Sequence, residues 1–315
     1  MALTMLNGFL LFPGQGAQVV GMAKDAYDAG GHAVALFEEA SEILGFDLAR
    51  MTFEEDEATL ARTENCQPAL FVASMALLDA LRERRQIRIT GAAGLSLGEY
   101  TALTALESVD FADAVRLVRR RGELMEASAR GEHTGMASVI GLEGPAVEEA
   151  CAKIVSDGLG RVYPANYNSP GQVAVSGDAA GLDAAEAAFR EAGARRVMRL
   201  NVSGAFHSPF MAKAREGLER ALAETSFRRP MAKFVNNADA KALVDPEDIR
   251  DSLARQLTSP VRWEQSARLI VGMGDTRFFE IGPGKVLTGL MKRIAPEARA
   301  TPINTLADIE ALPDQ

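Results

Sequence analysis

Residues 91–106, GAAGLSLGEYTALTAL, contain the pattern that decides the fold. The small residues of 91–95 are typical of a buried strand, and 98–106 has the composition of a helix. Between them, residues 94–98 (GLSLG) form a G-x-S-x-G motif, in which a serine occupies a strained turn between strand and helix. The flanking glycines avoid a steric conflict, and the helix amino terminus stabilises negative charge. The motif predicts a nucleophilic Ser96, with a plain glycine-flanked helix cap as the alternative.

Strand-like and helical segments alternate on both sides of this motif. Residues 8–12 (GFLLF) form a short apolar run that ends at Pro13, as expected of a buried strand that enters a tight loop. Residues 67–84 carry apolar side chains at helical spacing, and 278–281 has the composition of a strand. We therefore predict an α/β fold, with an α/β-hydrolase-like large subdomain built on a largely parallel sheet.

The middle of the chain has a different order of elements. Its segments alternate as strand 136–142, helix 145–155, strands 162–168 and 172–177, helix 179–191 and strand 195–202. This βαββαβ order is the signature of a ferredoxin-like unit. We predict a ferredoxin-like small subdomain over 130–202, inserted into a large subdomain formed by 1–129 and 203–315.

A serine nucleophile needs a base, usually histidine, and the chain offers His32, His133 and His207. His32 lies beside two glycines in a polar segment, and His133 precedes the inserted unit. His207 lies where the chain re-enters the large subdomain, in a loop that can face the serine across a cleft. A lone histidine is more often structural, but the serine motif and the few competitors favour His207 as the base.

The loop at residues 13–16 (PGQG) follows the first strand, and its glycines allow the backbone to approach a ligand closely. Its amides could form half of an oxyanion hole, and the amide of Leu97 could form the other half. A dinucleotide-binding loop is excluded by spacing, because Val19 stands where glycine or alanine is required. A plain turn is the remaining alternative.

Three arginines, Arg119 to Arg121, precede Gly122 at what we interpret as the end of a helix. We expect two of them to be solvated there and to offset the helix dipole. One arginine turned inward would suit a substrate carboxylate, because a guanidinium binds it through two parallel hydrogen bonds.

Composition excludes several function classes. The formal net charge is −9, and no run of five basic residues occurs, so we expect no nucleic-acid partner. The two cysteines, Cys66 and Cys151, have no metal-ligand spacing, so we expect no metal site. A disulfide between them is possible, but two buried thiols in a reducing cytosol are the better interpretation.

The amino terminus lacks the pattern of a signal peptide, and no apolar run approaches the ~20 residues that span a bilayer. We therefore expect a cytoplasmic protein with no membrane partner.

With these residues in view, the chain resembles malonyl-CoA:acyl carrier protein transacylases, and more broadly the acyltransferase domains of fatty-acid and polyketide synthases. Eight segments carry the resemblance in family order, and jointly they are very specific. They are 12–16 (FPGQG), 94–100 (GLSLGEY), 121–125 (RGELM), 165–177 (ANYNSPGQVAVSG), 204–208 (GAFHS), 235–237 (VNN), 255–257 (RQL) and 280–284 (EIGPG).

The resemblance implies a role for each matching position. Ser96 would be the nucleophile and His207 its general base, with the amides of Gln15 and Leu97 as the oxyanion hole. Arg121 would bind the free carboxylate of a malonyl group. A carbonyl of Gln256 would accept a hydrogen bond from the second nitrogen of the histidine and orient it.

The pocket is implied in the same way. Asn166 resembles a pocket residue, and Phe206 matches the variant of malonyl-selective members, in which a bulky side chain leaves little room for an α-methyl branch. Many members have histidine before the nucleophile, whereas this chain has Leu95. That position is not the base, so only the local electrostatics are expected to differ.

The implied activity is ping-pong transfer of malonyl from malonyl-CoA to the phosphopantetheine thiol of acyl carrier protein in fatty-acid synthesis. The resemblance implies no metal and no bound cofactor, and we expect a monomer with a basic patch near the cleft for its acidic carrier. One alternative is a stand-alone acyltransferase of a polyketide synthase. Another is a serine thioesterase or hydrolase, which would not need Arg121. The third is a non-catalytic carrier-binding module.

Overall fold

The chain folds around two separate β-sheets. The computed structural model describes residues 5–130 and 133–313. The strands are β1 (Leu6–Phe12), β2 (Ile87–Gly94), β3 (Thr134–Ile140), β4 (Val162–Ser169), β5 (Gln172–Asp178), β6 (Arg196–Arg199), β7 (Lys233–Val235), β8 (Ala242–Leu243), β9 (Arg277–Ile281) and β10 (Arg299–Ile303).

Helices connect the strands and cover the sheets. They are α1 (Lys24–Asp28), α2 (His32–Leu44), α3 (Leu48–Phe53), α4 (Glu57–Ala61), α5 (Thr63–Arg84), α6 (Gly98–Ala105), α7 (Phe111–Ala129), α8 (Gly144–Ser156), α9 (Ala179–Glu191), α10 (Ala212–Ala223), α11 (Pro246–Gln256), α12 (Trp263–Gly272), α13 (Val286–Ile294) and α14 (Leu306–Glu310). A short 3-10 helix, Pro209–Met211, precedes α10.

The larger sheet has the strand order β10-β9-β1-β2-β7-β8. Its strands run parallel, except that the short β8 pairs antiparallel with β7. The predicted α/β fold with a largely parallel sheet is therefore confirmed.

The central position of β1 in the larger sheet explains why its sequence is a continuous apolar run. Successive side chains of a strand point to opposite faces, and here both faces are covered. Leu10 and Phe12 pack into the hydrophobic core that contains α5. Phe9 and Leu11 pack into a second core on the other face, which includes α12 and α13. An alternating polar pattern would leave one face of this central strand poorly packed.

The smaller sheet has the order β4-β5-β3-β6, and every neighbouring pair is antiparallel. Helices α8 and α9 cover it, and side chains such as Val147 and Phe189 form a third core with the strands. The predicted ferredoxin-like sheet, separate from the parallel one, is confirmed. The subdomain boundaries at 130 and 202 stay a prediction, and residues 131 and 132 lie outside the described residues.

Two local predictions were wrong. The strand expected over 195–202 is limited to Arg196–Arg199, and an irregular segment follows it. The three arginines do not lie at a helix end, because α7 continues to Ala129. Gly122 is a packing residue instead, since a Cβ there would lie 2.7 Å from the carbonyl oxygen of Thr63 in α5.

The cysteines are free and buried, in agreement with the preferred interpretation, and the disulfide alternative is wrong. Burial raises the pKa of each thiol to about 12. Within the described residues, no helix has the length and apolar character needed to cross a bilayer. The same residues contain no group of three acidic, histidine or cysteine side chains arranged for a metal ion.

Candidate active site

Ser96 lies on a sharp turn between the end of β2 and the start of α6, as the motif predicts. Its φ of 54° is in the left-handed region, which costs a non-glycine residue on the order of 1–3 kcal/mol. The flanking glycines are sterically required. A Cβ at Gly94 would lie 2.0 Å from the carbonyl carbon of Gly98, and a Cβ at Gly98 would lie 2.2 Å from the oxygen of Phe12. The turn therefore depends on the two glycines of the pattern.

His207 meets the serine from the irregular segment that follows β6. Its Nε2 lies 2.8 Å from Ser96 Oγ, and its Nδ1 lies 2.9 Å from the backbone oxygen of Gln256. A carbonyl only accepts, so Nδ1 carries the proton and Nε2 can accept one from the hydroxyl. His207 also has a left-handed φ, of 56°. The other two histidines, His32 and His133, are exposed and outside this site.

The environment keeps this imidazole neutral. Burial, aided by the charge of Arg121, lowers the pKa of His207 to about 4. A neutral imidazole is the form that can act as a base.

Arg121 is the inward-facing arginine of the three. It is 1% exposed, and its Nη2 donates to Ser96 Oγ at 2.8 Å and to Gln256 Oε1 at 2.9 Å. Its Nη1 donates to Gln67 Oε1 at 2.9 Å, while its Nε has no partner among the described residues. Burial lowers the pKa of Arg121, but a guanidinium remains charged in proteins. The site thus holds a buried cation beside the nucleophile.

The neighbouring arginines behave differently. Arg119 and Arg120 both pair with the Glu123 carboxylate, and Arg120 is half exposed. Of the two arginines expected to be solvated, only Arg120 is, because Arg119 is 25% exposed and also donates to the backbone oxygen of Glu64 and to Asn65 Oδ1.

Two backbone amides beside the serine are free. Among the described residues, no acceptor faces the N–H of Gln15 or that of Leu97. Gln15 lies on the loop after β1 and Leu97 directly precedes α6. Free donors next to a nucleophile are the requirement for stabilising an oxyanion.

A cavity of about 180 Å³ opens in front of Ser96. The larger sheet contributes Gln15 and the smaller sheet contributes Asn166, while Phe206 comes from the segment between them. Phe206 is 4% exposed. A second cavity of about 330 Å³ shares Gln15 and is also lined by the start of α13. The sequence-derived pocket residues are therefore brought together.

Three buried polar residues of the site were not assigned from the sequence. They are Gln67, which accepts from the arginine, and Glu99 and Asn237, which bond to each other. The last two lie within quoted segments, but nothing local to the sequence indicates their contact across 138 positions. Gln67 carries no comparable signal.

The geometry unites a hydroxyl, a neutral imidazole with a fixed tautomer, two free amides and a buried cation. These are the parts required for acyl transfer through a covalent serine intermediate, with preference for a negatively charged acyl group.

Comparison with known proteins agrees with this chemistry. A family model described as the acyl transferase domain matches residues 9–308. The malonyl CoA-acyl carrier protein transacylase of Staphylococcus aureus is 40% identical over 301 residues, which cover 96% of each chain. The Bacillus subtilis protein of that name is 39% identical over 300 residues, 95% of this chain and 94% of its own.

Solved structures give the same result. The acyl carrier protein S-malonyltransferase of Vibrio cholerae matches with a TM-score of 0.92 and 39% identity, over 96% of this chain and 98% of that one. A malonyl-transacylase solved in complex with its type II polyketide synthase acyl carrier protein matches with a TM-score of 0.92 and 38% identity, over 97% and 98%. The chain belongs to the acyl transferase family and, within it, to the malonyl CoA-acyl carrier protein transacylases.

Proposed function

We propose that the chain transfers malonyl from malonyl-CoA to the phosphopantetheine thiol of an acyl carrier protein in fatty-acid synthesis. The observation that carries this proposal is the contact of the Arg121 guanidinium with Ser96 Oγ, at 2.8 Å, where Ser96 and His207 line the cavity. A serine nucleophile with a buried cation beside it suits an acyl group that ends in a carboxylate.

In the first half-reaction, Ser96 Oγ attacks the thioester carbonyl of malonyl-CoA and His207 Nε2 takes the hydroxyl proton. The amides of Gln15 and Leu97 donate to the tetrahedral oxyanion. The carbon–sulfur bond then breaks, the coenzyme A thiol leaves with the proton from His207, and malonyl-Ser96 remains. The Gln256 carbonyl stabilises the transient imidazolium through Nδ1.

In the second half-reaction, the phosphopantetheine thiol gives its proton to His207 and attacks the malonyl ester. The same two amides hold the second oxyanion. Collapse returns the proton to Ser96 Oγ and releases the malonyl thioester of the carrier. One imidazole thus serves as base and acid in both directions.

Arg121 selects the acyl group in this proposal. The Nη2 that contacts Ser96 Oγ in the free enzyme is available to the malonyl carboxylate after the serine is acylated. Phe206 would limit the space beside the α-carbon, and Asn166 also lines the cavity.

The carrier is proposed to dock along α13. Val286 and Leu287 line the second cavity, the exposed Lys285 directly precedes the helix, and Lys292 and Arg293 are exposed in its last turn. A basic face beside the cavity suits an acidic carrier, even though the chain is acidic overall. A cytoplasmic location and a monomeric state remain predictions.

Three alternatives differ from the proposal in testable ways. Service to a polyketide synthase carrier is supported by the similarity to the malonyl-transacylase solved with such a carrier. Comparison of transfer rates to fatty-acid and polyketide carriers distinguishes the two roles. A thioesterase would use Ser96 and His207 but has no use for a buried Arg121, and a non-catalytic module would use none of the three.

The decisive experiment is intact-mass measurement after the protein is mixed with malonyl-CoA. We expect a stable increase of one malonyl group, absent in Ser96→Ala and present in Ser203→Ala, a control in the exposed segment near the cleft. Addition of a phosphopantetheinylated carrier should remove the adduct and malonylate the carrier. Rapid release of free malonate instead would indicate a hydrolase.

A further inference from the structure

Glu99 is a fully buried carboxyl group that the proposed reaction does not use. It lies in the first turn of α6, three residues after the nucleophile, and is 0% exposed. Its Oε1 accepts from the backbone N–H of Asn237, and its Oε2 accepts from the side-chain amide of Gln256. A buried carboxyl group is costly unless its hydrogen bonds are worth the desolvation.

The two partners of Glu99 also hold the backbone of the nucleophile from both sides. Asn237 Oδ1 accepts from the N–H of Ser96 at 2.7 Å, and Gln256 Nε2 donates to the carbonyl of Ser96 at 3.0 Å. Asn237 and Gln256 are themselves fully buried. Glu99 therefore closes a ring of hydrogen bonds around the strained residue.

The same ring reaches the base and the cation. The backbone oxygen of Gln256 faces His207 Nδ1, and its Oε1 accepts from Arg121 Nη2. Ser96 and His207 both have left-handed φ values, and such strain persists only where the surroundings over-determine the geometry. Asn237 and Gln256 supply that constraint, and each donates to Glu99, Asn237 through its backbone N–H and Gln256 through its side-chain amide.

We propose that Glu99 is a positioning residue, which fixes Asn237 and Gln256 and through them aligns the nucleophile, its base and the acyl-binding arginine. This inference rests on the proposed malonyl transfer and adds a residue to it. Each oxygen of the Glu99 carboxyl group accepts from one of these two donors. Burial raises the pKa of Glu99 to about 8, while the two donors and Arg121 act in the opposite direction.

The charged and titratable groups that face Glu99 come from several elements. They are Arg121 on α7, Tyr100 on α6, Asp239 after β7 and, through Gln256, His207. None of them replaces the carboxylate as an acceptor for Asn237 and Gln256.

The test is Glu99→Gln, which keeps the size of the side chain but places an NH₂ group against one of the two donors. We expect kcat for malonyl transfer to fall about 10- to 100-fold, with KM for malonyl-CoA changed by less than about twofold. The matched control is Asp275→Asn, which removes another buried carboxylate. Asp275 pairs with Lys233 at 2.7 Å, at the end of the larger sheet away from Ser96. Its kcat should equal that of the wild type.

A second variant separates positioning from mere filling of space. Glu99→Gln combined with Gln256→Glu reverses the donor and the acceptor and restores one hydrogen bond with a carboxylate. We expect the double variant to be at least about tenfold faster than Gln256→Glu alone, in which two carboxylates face each other. This comparison holds even where Glu99→Gln alone fails to fold.

The outcomes are distinct. A wild-type kcat in Glu99→Gln, a loss confined to KM, or a double variant no faster than Gln256→Glu overturns the positioning role. A wild-type protein that forms no malonyl adduct overturns the proposed function instead, before any variant is compared.

Discussion

Arg121→Met changes the buried cation beside the nucleophile into a neutral side chain of similar length. In the wild type, Arg121 is 1% exposed and donates to Ser96 Oγ, Gln256 Oε1 and Gln67 Oε1 at 2.8–2.9 Å. The variant removes the only cation that contacts the Ser96 hydroxyl among the described residues. A malonyl carboxylate would then enter the cavity without a partner.

The expected magnitude follows from that unpaired charge. Truncating one partner of a buried, hydrogen-bonded charge pair costs about 3–5 kcal/mol. We therefore expect kcat/KM for malonyl-CoA to fall roughly 10²- to 10⁴-fold. Acetyl-CoA has no carboxylate to leave unpaired, so its kcat/KM should change by less than about fivefold. The ratio of malonyl to acetyl transfer is thus the quantity that the structure predicts.

The assay is competitive loading of Ser96 from equimolar malonyl-CoA and acetyl-CoA, resolved by intact mass. Arg120→Met is the matched control, because this neighbour is 51% exposed and only pairs with Glu123 at 3.5 Å. Its ratio should remain that of the wild type. If Arg121→Met slows both acyl groups equally and leaves the ratio unchanged, Arg121 organises the nucleophile but does not recognise the carboxylate.

Three further predictions concern pH, the pocket and the carrier. Because the pKa of His207 is lowered from 6.5 to about 4, kcat/KM should fall in acid only near pH 4. The stability that neutral His207 contributes above pH 6.5 should be lost as the pH falls from 6.5 to 4. A pH–rate profile with its acid limb at 6.5 would contradict this prediction. Phe206→Ala should raise methylmalonyl loading relative to malonyl loading by about tenfold or more, because one methyl group in a pocket is worth about 1–3 kcal/mol. Competitive loading with the two CoA thioesters measures this ratio, and an unchanged ratio would show that Phe206 sets no limit. Lys292→Glu should raise KM for the carrier, more strongly at low salt, without changing KM for malonyl-CoA. Steady-state kinetics measure both values, and equal effects on the two substrates would exclude docking on α13.

Features governed by near neighbours could be predicted from the sequence. The G-x-S-x-G turn needs glycines because a Cβ would clash within the five residues or with β1. The βαββαβ order follows from the periodicity of each segment. Gly122 shows where local rules end. A glycine after three arginines has the pattern of a helix end, but in the structure it permits close packing against α5, which is distant in sequence.

The polar contacts of the site illustrate the same limit more strongly. The bond between Glu99 and Gln256 joins residues 157 positions apart, and the bond between Ser96 and His207 spans 111. No periodicity encodes such pairs. His207 was identified because few histidines compete for the role, whereas Gln67 and Asn237 have many chemically equivalent competitors in the chain.

The residues that carry out the reaction and those that shape the acyl cavity lie on different parts of the fold. Arg121 lies on α7, directly before the chain enters that sheet, and His207 lies on the segment by which the chain leaves it. The nucleophile and free amides follow strands of the larger sheet, whereas Asn166, Met136 and Ala174 of the smaller sheet line the cavity without a hydrogen bond to the Ser96 hydroxyl. Substitutions on the smaller sheet can therefore reshape the acyl cavity while the ring of hydrogen bonds around Ser96 stays intact. The reverse does not hold, because Asn237 and Gln256, both bonded to Glu99, hold the backbone of the serine whose hydroxyl every acyl group must meet.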